Sequence, residues 1–166
     1  IVEFKDANDA EKAVREINTG IYAFNNQSLF EGLKHLNNNN AQNEYYLTDL
    51  VEILKKLGKK VVAIPCDDWQ EVQGINGNVE LAHAAKYMQE RINTEWMKKG
   101  VTIYDPNTAY IGPNVTFGTD VIIHPNTYLY GDTVVEDYAE ILPGTWLEDT
   151  NVSKAEIVGP FIRRKG

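Results

Sequence analysis

The sequence has one cysteine, no long apolar run and fewer basic than acidic residues, and each shortage excludes a class of protein. Cys66 has no second cysteine to pair with, so the chain is not a disulfide-stapled domain, and we expect a reducing, cytoplasmic setting. No apolar stretch approaches the ~20 residues of a membrane-spanning helix, so we expect no membrane partner. The net charge of −8 makes the chain a poor partner for the nucleic-acid backbone.

What is present is typical of a globular protein with one or two small domains. The 166 residues are 43% hydrophobic and 24% charged. The chain begins with Ile1 rather than methionine, and no basic-then-apolar leader follows. We therefore expect it to be an internal piece of a longer protein.

A period of six residues runs through the C-terminal third of the chain. An apolar residue recurs at every sixth position: Ile111, Phe117, Ile123, Leu129, Val135, Ile141 and Leu147. A small or β-branched residue lies two places before each of the last six: Val115, Val121, Thr127, Thr133, Ala139 and Thr145. Turn-forming residues separate the stripes. This period fits neither a helix nor a hairpin and predicts a parallel β-helix.

The repeat continues with one irregular step and has an apolar outer face. After Leu147 the next core candidates are Val152 and Val158, which gives about three coils of roughly 18 residues. The outward positions are Thr116, Ile122, Tyr128, Val134, Glu140 and Trp146. Most of these are apolar or aromatic, so we expect the face to pack on a neighbour, most simply as a homotrimer. Contact with the chain's own connecting helix is the alternative.

The first hundred residues alternate between strand-like and helix-like patterns. We predict strands at 1–4, 17–24 and 60–65, a helix capped by Asn26 or Ser28 and ending near Leu36, and a helix at 44–57. Such alternation is typical of part of a doubly wound α/β sheet.

A long helix separates the two patterns. Apolar residues share one face from Val79 to about Lys99, Asn78 can cap the start, and Gly100 ends the helix. We therefore divide the chain into an α/β part (1–77), a connecting helix (78–100) and the start of the β-helix (101–166).

Four segments of the α/β part resemble one enzyme family. They are residues 1–7 (IVEFKDA), 16–21 (EINTGI), 38–49 (NNNAQNEYYLTD) and 71–76 (EVQGIN). In order and spacing, together with the long helix and the repeat, they are similar to the bacterial bifunctional N-acetylglucosamine-1-phosphate uridyltransferase / glucosamine-1-phosphate N-acetyltransferase family. The resemblance implies a Rossmann-like nucleotidyltransferase domain, here partial, followed by a left-handed β-helix.

The resemblance also implies an activity. The family makes UDP-N-acetylglucosamine, a cell-envelope precursor, from UTP and N-acetylglucosamine-1-phosphate, and it acetylates glucosamine-1-phosphate with acetyl-CoA in later coils. Positioning and charge neutralisation by Mg²⁺ account for most of nucleotidyl transfer. The chain has no glycine-rich nucleotide loop, so we assign no catalytic residue and expect this polypeptide alone to be inactive.

The resemblance implies roles for five residues. Glu3 and Asn18 match the pair that hydrogen-bonds the hydroxyls of N-acetylglucosamine, and a carboxylate and an amide suit that task. Tyr46 and Thr48 match residues near the sugar. Asn76 matches an oxygen ligand of Mg²⁺, whose partner aspartate lies outside this chain.

Each of these residues also has a plain structural reading. Glu3 would be an exposed strand carboxylate, Asn18 a turn residue, Asn76 a loop residue before a helix, and Tyr46 a residue packed in the first turn of a helix. For Thr48, only the match to the family motif indicates a role near the sugar. His35, His83 and His124 are read as structural or solvated, since no pair has metal-ligand spacing.

The tail departs from the family pattern. The family has Gly-Pro-Phe-Ala-Arg-Leu-Arg-Pro-Gly where this chain has residues 159–166 (GPFIRRKG), so a role for Arg164 or Lys165 in binding the acetyl acceptor is doubtful. Gly77, after Asn76, is a milder departure. Two alternatives stay open: a non-catalytic trimerising module, and a sugar-1-phosphate nucleotidyltransferase with a single activity. The sequence does not fix the nucleobase.

Overall fold

The computed structural model describes residues 1–166, and the chain divides into two compact units, Ile1–Gly74 and Ile75–Gly166. None of its helices combines the length and the apolar character needed to cross a membrane.

The first unit is built from short helices. They are α1 (Asp9–Lys12), α2 (Asn26–Leu33) and α3 (Leu50–Lys56), with 3-10 turns at Leu47–Asp49 and Trp69–Val72. Its small core lies where α2 packs on α3, around buried Leu50 and Leu54. A methyl group added to Gly32 of α2 would lie 2.9 Å from Leu50 Cδ2, so the absence of a side chain there lets the helices approach closely.

The predicted helices form with shifted boundaries. The cap of α2 is Asn25, whose side chain accepts a hydrogen bond from the Ser28 backbone N–H at 3.1 Å, rather than Asn26 or Ser28. The helix predicted at 44–57 is shorter, since a 3-10 turn precedes α3.

The three strands predicted in this unit are wrong. Residues 1–4, 17–24 and 60–65 form no β-ladder, and their apolar side chains remain exposed, Ile17 by 81% and Ile64 by 87%. A strand exists only with a hydrogen-bonded neighbour, and no two segments of this unit pair. The local pattern describes side chains suited to a sheet and does not supply the partner.

The second unit contains α4 (Asn78–Lys98) and eleven short strands that confirm the predicted parallel β-helix. One sheet joins β1 (Thr102–Ile103), β4 (Ile122–Ile123), β7 (Glu140–Ile141) and β10 (Ile157–Val158). The second joins β2 (Ala109–Ile111), β5 (Thr127–Tyr130), β8 (Trp146–Glu148) and β11 (Arg163–Lys165). The third joins β3 (Thr116–Phe117), β6 (Val134–Val135) and β9 (Asn151–Val152). Each strand pairs in parallel with the third strand after it, as stacked coils require. The left-handed winding stays a prediction.

The interior of the coil contains the predicted stripe. Ile123, Leu129 and Leu147 are fully buried, and Phe117 is half-buried. The buried threonines are satisfied because each hydroxyl donates to the carbonyl three residues earlier; Thr127, for example, donates to the oxygen of His124 at 2.7 Å.

The β-helix has nearly four coils rather than three. The first coil contains buried Val101, Ile103 and Ala109. The step from Ile103 to Ile111 is eight residues, because a loop containing Pro106 is inserted at the corner, and this hid the first coil from the six-residue period.

Helix α4 covers the open end of the first coil. Ile92 and Trp96 pack against the core, and the Trp96 ring meets Phe117 edge to face with centroids 5.0 Å apart. A terminal coil exposes apolar surface, and this helix supplies the cap that it needs.

An amide on α4 fastens the helix to the first coil. Asn93 is fully buried, and its Nδ2 donates to the carbonyl oxygens of Pro106 at 2.8 Å and Ala109 at 2.9 Å. Its Oδ1 is buried without a partner, so only the donor half of the amide contributes hydrogen bonds.

Replacing this donor is expected to destabilise the second unit. Asn93→Asp removes the two donated hydrogen bonds and turns a carboxylate toward two carbonyl oxygens, which we expect to lower the free energy of unfolding by about 3 kcal/mol. Asn78→Asp, the same change at the exposed first turn of α4, should be neutral or slightly stabilising. Hydrogen exchange of peptides from the second unit in rising urea measures the difference between the two variants, and equal stability would contradict this role for Asn93.

Candidate functional site

Within the first unit, the N-terminal segment lies against the segment that contains residues 41–48. The Thr48 hydroxyl donates to Glu3 Oε1 at 3.4 Å, and both residues are half-buried. The Lys5 ammonium donates to Gln42 Oε1 at 2.7 Å. Two of the predicted sugar-site residues, Glu3 and Thr48, are therefore neighbours although 45 positions separate them.

Tyr46 joins the same network through Gln42. The Nε2 of Gln42 donates to the Tyr46 hydroxyl at 2.7 Å. Because Lys5 is only a donor, it fixes the Gln42 amide with its oxygen toward the lysine and its nitrogen toward the tyrosine. The Tyr46 hydroxyl thus accepts from Gln42 and keeps its own proton free to donate.

A further contact orders this surface. Asp6 Oδ1 accepts the backbone N–H of Ala41 at 2.8 Å, and Asn40 Oδ1 accepts those of Gln42 and Glu44 at 3.2 and 3.1 Å. No feature of the sequence had indicated a role for Lys5, Asp6 or Gln42. The signal that could have indicated the contact between Gln42 and Tyr46 is their four-residue spacing within a segment that resembles the family.

Asn18 is exposed, and its side-chain hydrogen bond is local. Its Oδ1 accepts the backbone N–H of Gly20 at 3.2 Å, and Gly20 has a φ of +75°, a conformation that favours glycine. This is the turn geometry of the plain structural reading. It leaves the two N–H groups of the Asn18 amide and the second lone pair of its oxygen available to a ligand, so the amide could both donate and accept.

Asn76 belongs to the second unit, where it is exposed and lies two residues before α4. Its amide oxygen is of the donor type that Mg²⁺ prefers, so the residue fits one ligand position of an octahedral shell. No group of three or more His, Cys, Asp or Glu side chains in the chain is arranged to hold a metal ion. Asn76 could therefore supply at most one ligand, and the others would have to come from water, phosphate or another carboxylate.

The tail cations are paired within the β-helix. Arg164 pairs with Leu147 of the preceding coil in the β11–β8 register, the position that core residues occupy in earlier coils. Its guanidinium donates to Glu156 Oε1 at 3.1 Å, and the Lys165 ammonium contacts Glu148 Oε1 at 2.9 Å. Both cations therefore have internal partners, which they would have to leave in order to bind an acetyl acceptor.

The Glu156 carboxylate should make the last coil sensitive to acid. A hydrogen bond from the Ser153 backbone N–H and the nearby Arg164 guanidinium lower the pKa of Glu156 below its ordinary value of 4.5. A pKa that is lower in the folded state contributes stability above the unfolded value and loses it as the pH falls through the folded value. We expect the protection of the β11 amides, measured relative to exchange from an unfolded chain at the same pH, to fall below about pH 4.5. Glu156→Gln should flatten this dependence; an unchanged profile would contradict it.

His124 is placed as a structural residue. Its Nε2 lies 2.7 Å from Glu140 Oε1, and its ring meets Tyr104 edge to face. Both partners lie on the same face of the β-helix as His124, which agrees with the reading of this histidine as structural.

A parallel β-helix of hexapeptide period, capped by a long helix and preceded by a polar cluster in an α-helical unit, defines the chain as a hexapeptide-repeat protein. A comparison with known protein-family profiles finds no match. Individual relatives are nevertheless clear. The chain is 44% identical over 158 residues to the bifunctional protein GlmU of Halalkalibacterium halodurans. This aligned region covers 95% of this chain and 35% of that protein.

Two further relatives have the same name. The bifunctional protein GlmU of Bacillus velezensis is 44% identical over 158 residues, 95% of this chain and 35% of its own length. That of Streptococcus agalactiae is 49% identical over 152 residues, 92% of this chain and 33% of its own length. The chain is therefore homologous to a segment of the bifunctional GlmU proteins, and it spans about a third of the length of these relatives.

Proposed function

We propose that this chain forms the sugar-side part of a transferase that makes UDP-N-acetylglucosamine from UTP and N-acetylglucosamine-1-phosphate, a cytoplasmic step in cell-envelope synthesis. The observation that carries the proposal is the hydrogen-bonded contact of Glu3 with Thr48. It lies within two segments that resemble the family and that are far apart in the sequence.

Glu3 and Thr48 suit the recognition of sugar hydroxyls. One carboxylate oxygen of Glu3 accepts from Thr48, and the other is free to accept a hydroxyl proton. The Thr48 oxygen can accept from a second sugar hydroxyl while its proton is directed to Glu3. A hydrogen bond to a carboxylate contributes about 1.5–3 kcal/mol, so Glu3 would dominate the affinity for the sugar.

The contacts of Lys5 with Gln42 and of Gln42 with Tyr46 form a relay that would orient a third group. A cation at one end polarises the amide, and the amide holds the Tyr46 hydroxyl with its proton free. This proton would be donated to a carbonyl or phosphate oxygen of the sugar phosphate. Asn18 would donate through its amide N–H groups.

Asn76 would supply one oxygen ligand to Mg²⁺, together with an aspartate from outside this chain. Bound Mg²⁺ would neutralise the charge that develops on the phosphates. The β-helix would support a homotrimer, and in the parent protein its later coils would use acetyl-CoA.

Binding of the product tests the proposal. Isothermal titration of the chain with UDP-N-acetylglucosamine should give saturable binding. UDP alone should bind more weakly, because it lacks the sugar that Glu3, Thr48 and Tyr46 would contact. Equal binding of the two ligands, or none, would count against a sugar site at Glu3.

A non-catalytic trimerising module is the second candidate, and the outer face of the β-helix favours it. Tyr110 stacks on Tyr128 with centroids 5.0 Å apart, Tyr128 is followed by Trp146 at 5.9 Å, and the Arg163 guanidinium lies 4.8 Å from the Trp146 ring. Tyr110 and Trp146 remain more than a third exposed. Sedimentation equilibrium showing a stable trimer, together with no binding of UDP-N-acetylglucosamine, would support the module over the enzyme.

A further inference from the structure

In the dipeptide Asn76-Gly77, the side-chain amide of Asn76 and the backbone N–H of Gly77 are both without a hydrogen-bond partner, and these two groups can react with each other. Asn76 is the only asparagine of the sequence that glycine follows directly. It is exposed and lies outside any helix or strand, and Gly77 is the N-cap residue of α4. Neither the Asn76 amide nor the Gly77 backbone N–H has a hydrogen-bond partner. Nothing therefore holds the amide carbon away from the nitrogen of the next residue.

Other asparagines are held by the structure. The Asn18 carbonyl accepts from Gly20, the Asn25 carbonyl caps α2, and the Asn93 amide is buried and bonded to two carbonyl oxygens. Each is followed by a residue with a side chain, which hinders the approach of the next backbone nitrogen to the amide carbon. Of these four asparagines, Asn76 alone has both a free amide and an unhindered neighbour.

We propose that Asn76 is a site of spontaneous deamidation, in which its neutral amide is converted into a carboxylate. The Gly77 backbone nitrogen loses its proton and attacks Asn76 Cγ. The bond from Cγ to Nδ2 breaks, and ammonia leaves with that proton. Water then adds to either carbonyl of the cyclic imide, and the bond from that carbonyl carbon to the imide nitrogen breaks while the nitrogen takes a proton from the water. Attack on one carbonyl gives aspartate at position 76, and attack on the other gives isoaspartate. No oxidant, enzyme or metal takes part.

The position before α4 favours the negative product. The first N–H groups of a helix carry partial positive charge, and this charge stabilises a carboxylate at this end. The isoaspartate form lengthens the backbone by one bond at residue 76. This change lies just before the Gly77 carbonyl, which accepts the first helical hydrogen bond from the Leu81 backbone N–H at 3.0 Å. The reaction itself does not depend on the role proposed for Asn76 in metal binding.

Gly77→Ala is the matched variant for the test. Gly77 has φ −164° and ψ −178°, an extended conformation that alanine also adopts, and the added methyl would meet only the flexible Glu80 carboxylate at 3.1 Å. The variant should therefore fold. Its methyl group restricts the approach of the nitrogen to Asn76 Cγ, and we expect about tenfold slower deamidation, equivalent to about 1.4 kcal/mol in the barrier.

The experiment is a timed incubation of the whole chain at mildly alkaline pH, followed by peptide mass mapping with fragmentation that separates aspartate from isoaspartate. Both products should accumulate in the peptide that contains Asn76, while the peptide that contains Asn18 stays unmodified. Asn76→Gln should abolish the signal, because its longer side chain would have to close a larger and slower-forming ring. Equal rates in the Asn76 and Asn18 peptides, or an undiminished rate in Gly77→Ala, would overturn the proposal.

Discussion

Leu129→Ala is expected to lower the free energy of unfolding of the second unit by about 3–4 kcal/mol. Leu129 is fully buried in β5, and this strand is paired on both sides, with β2 and with β8. The truncation leaves a cavity that the coils above and below cannot fill, since their interior positions are already close-packed. The loss is large relative to the marginal stability of a small domain.

The measurement should follow the second unit alone, because a whole-chain signal would mix two units that need not unfold together. Hydrogen exchange of peptides from β5 and β8 in rising urea meets this need. Ile157→Ala removes an apolar side chain that is 63% exposed beside buried Val158, and it should change stability by about 0.5 kcal/mol. If the Leu129 variant were as stable as this control, packing in the interior of the β-helix would not be what stabilises the second unit.

Glu3→Gln is expected to weaken binding of UDP-N-acetylglucosamine by about tenfold to a hundredfold. The change keeps the shape of the side chain but removes the charge, and hydrogen bonds to charged groups are worth about 1.5–3 kcal/mol. Thr48 would lose part of its hydrogen bond to Glu3 Oε1 at the same time. Isothermal titration of both proteins measures the ratio of dissociation constants.

Glu16→Gln is the control for this variant. It makes the same chemical change at an exposed glutamate of a second family-like segment. It should bind as the unchanged chain does. If both variants bind equally, Glu3 is a surface carboxylate, as its plain structural reading holds.

The β-helix was predictable because a short repeating pattern of residues along the sequence identifies it. Each inward position, such as Ile123 or Ile141, meets the same environment one coil after another, so a period in the sequence is enough to identify it. The first coil was missed where the period breaks, between Ile103 and Ile111. The inward register of Arg164 was also missed, because a charged residue does not mark a core position.

The first unit was less predictable because its contacts are not local. Apolar segments such as 17–24 favour strands, yet a strand depends on a partner that its own residues do not specify. The family resemblance assigned Glu3 and Thr48 to the same sugar site, but neither it nor any pattern in the residues predicted the hydrogen bond between them. The contact between Lys5 and Gln42, 37 positions apart, left no trace in spacing or composition.

The helical cap on the first coil restrains the β-helix at that end. Each coil is hydrogen-bonded only to its neighbours, so an uncovered coil could separate strand by strand. Here Trp96 and Asn93 hold the first coil through an aromatic contact and two hydrogen bonds. Strands β1 and β2 should therefore separate only after α4 detaches, and a protease would gain access to them only then.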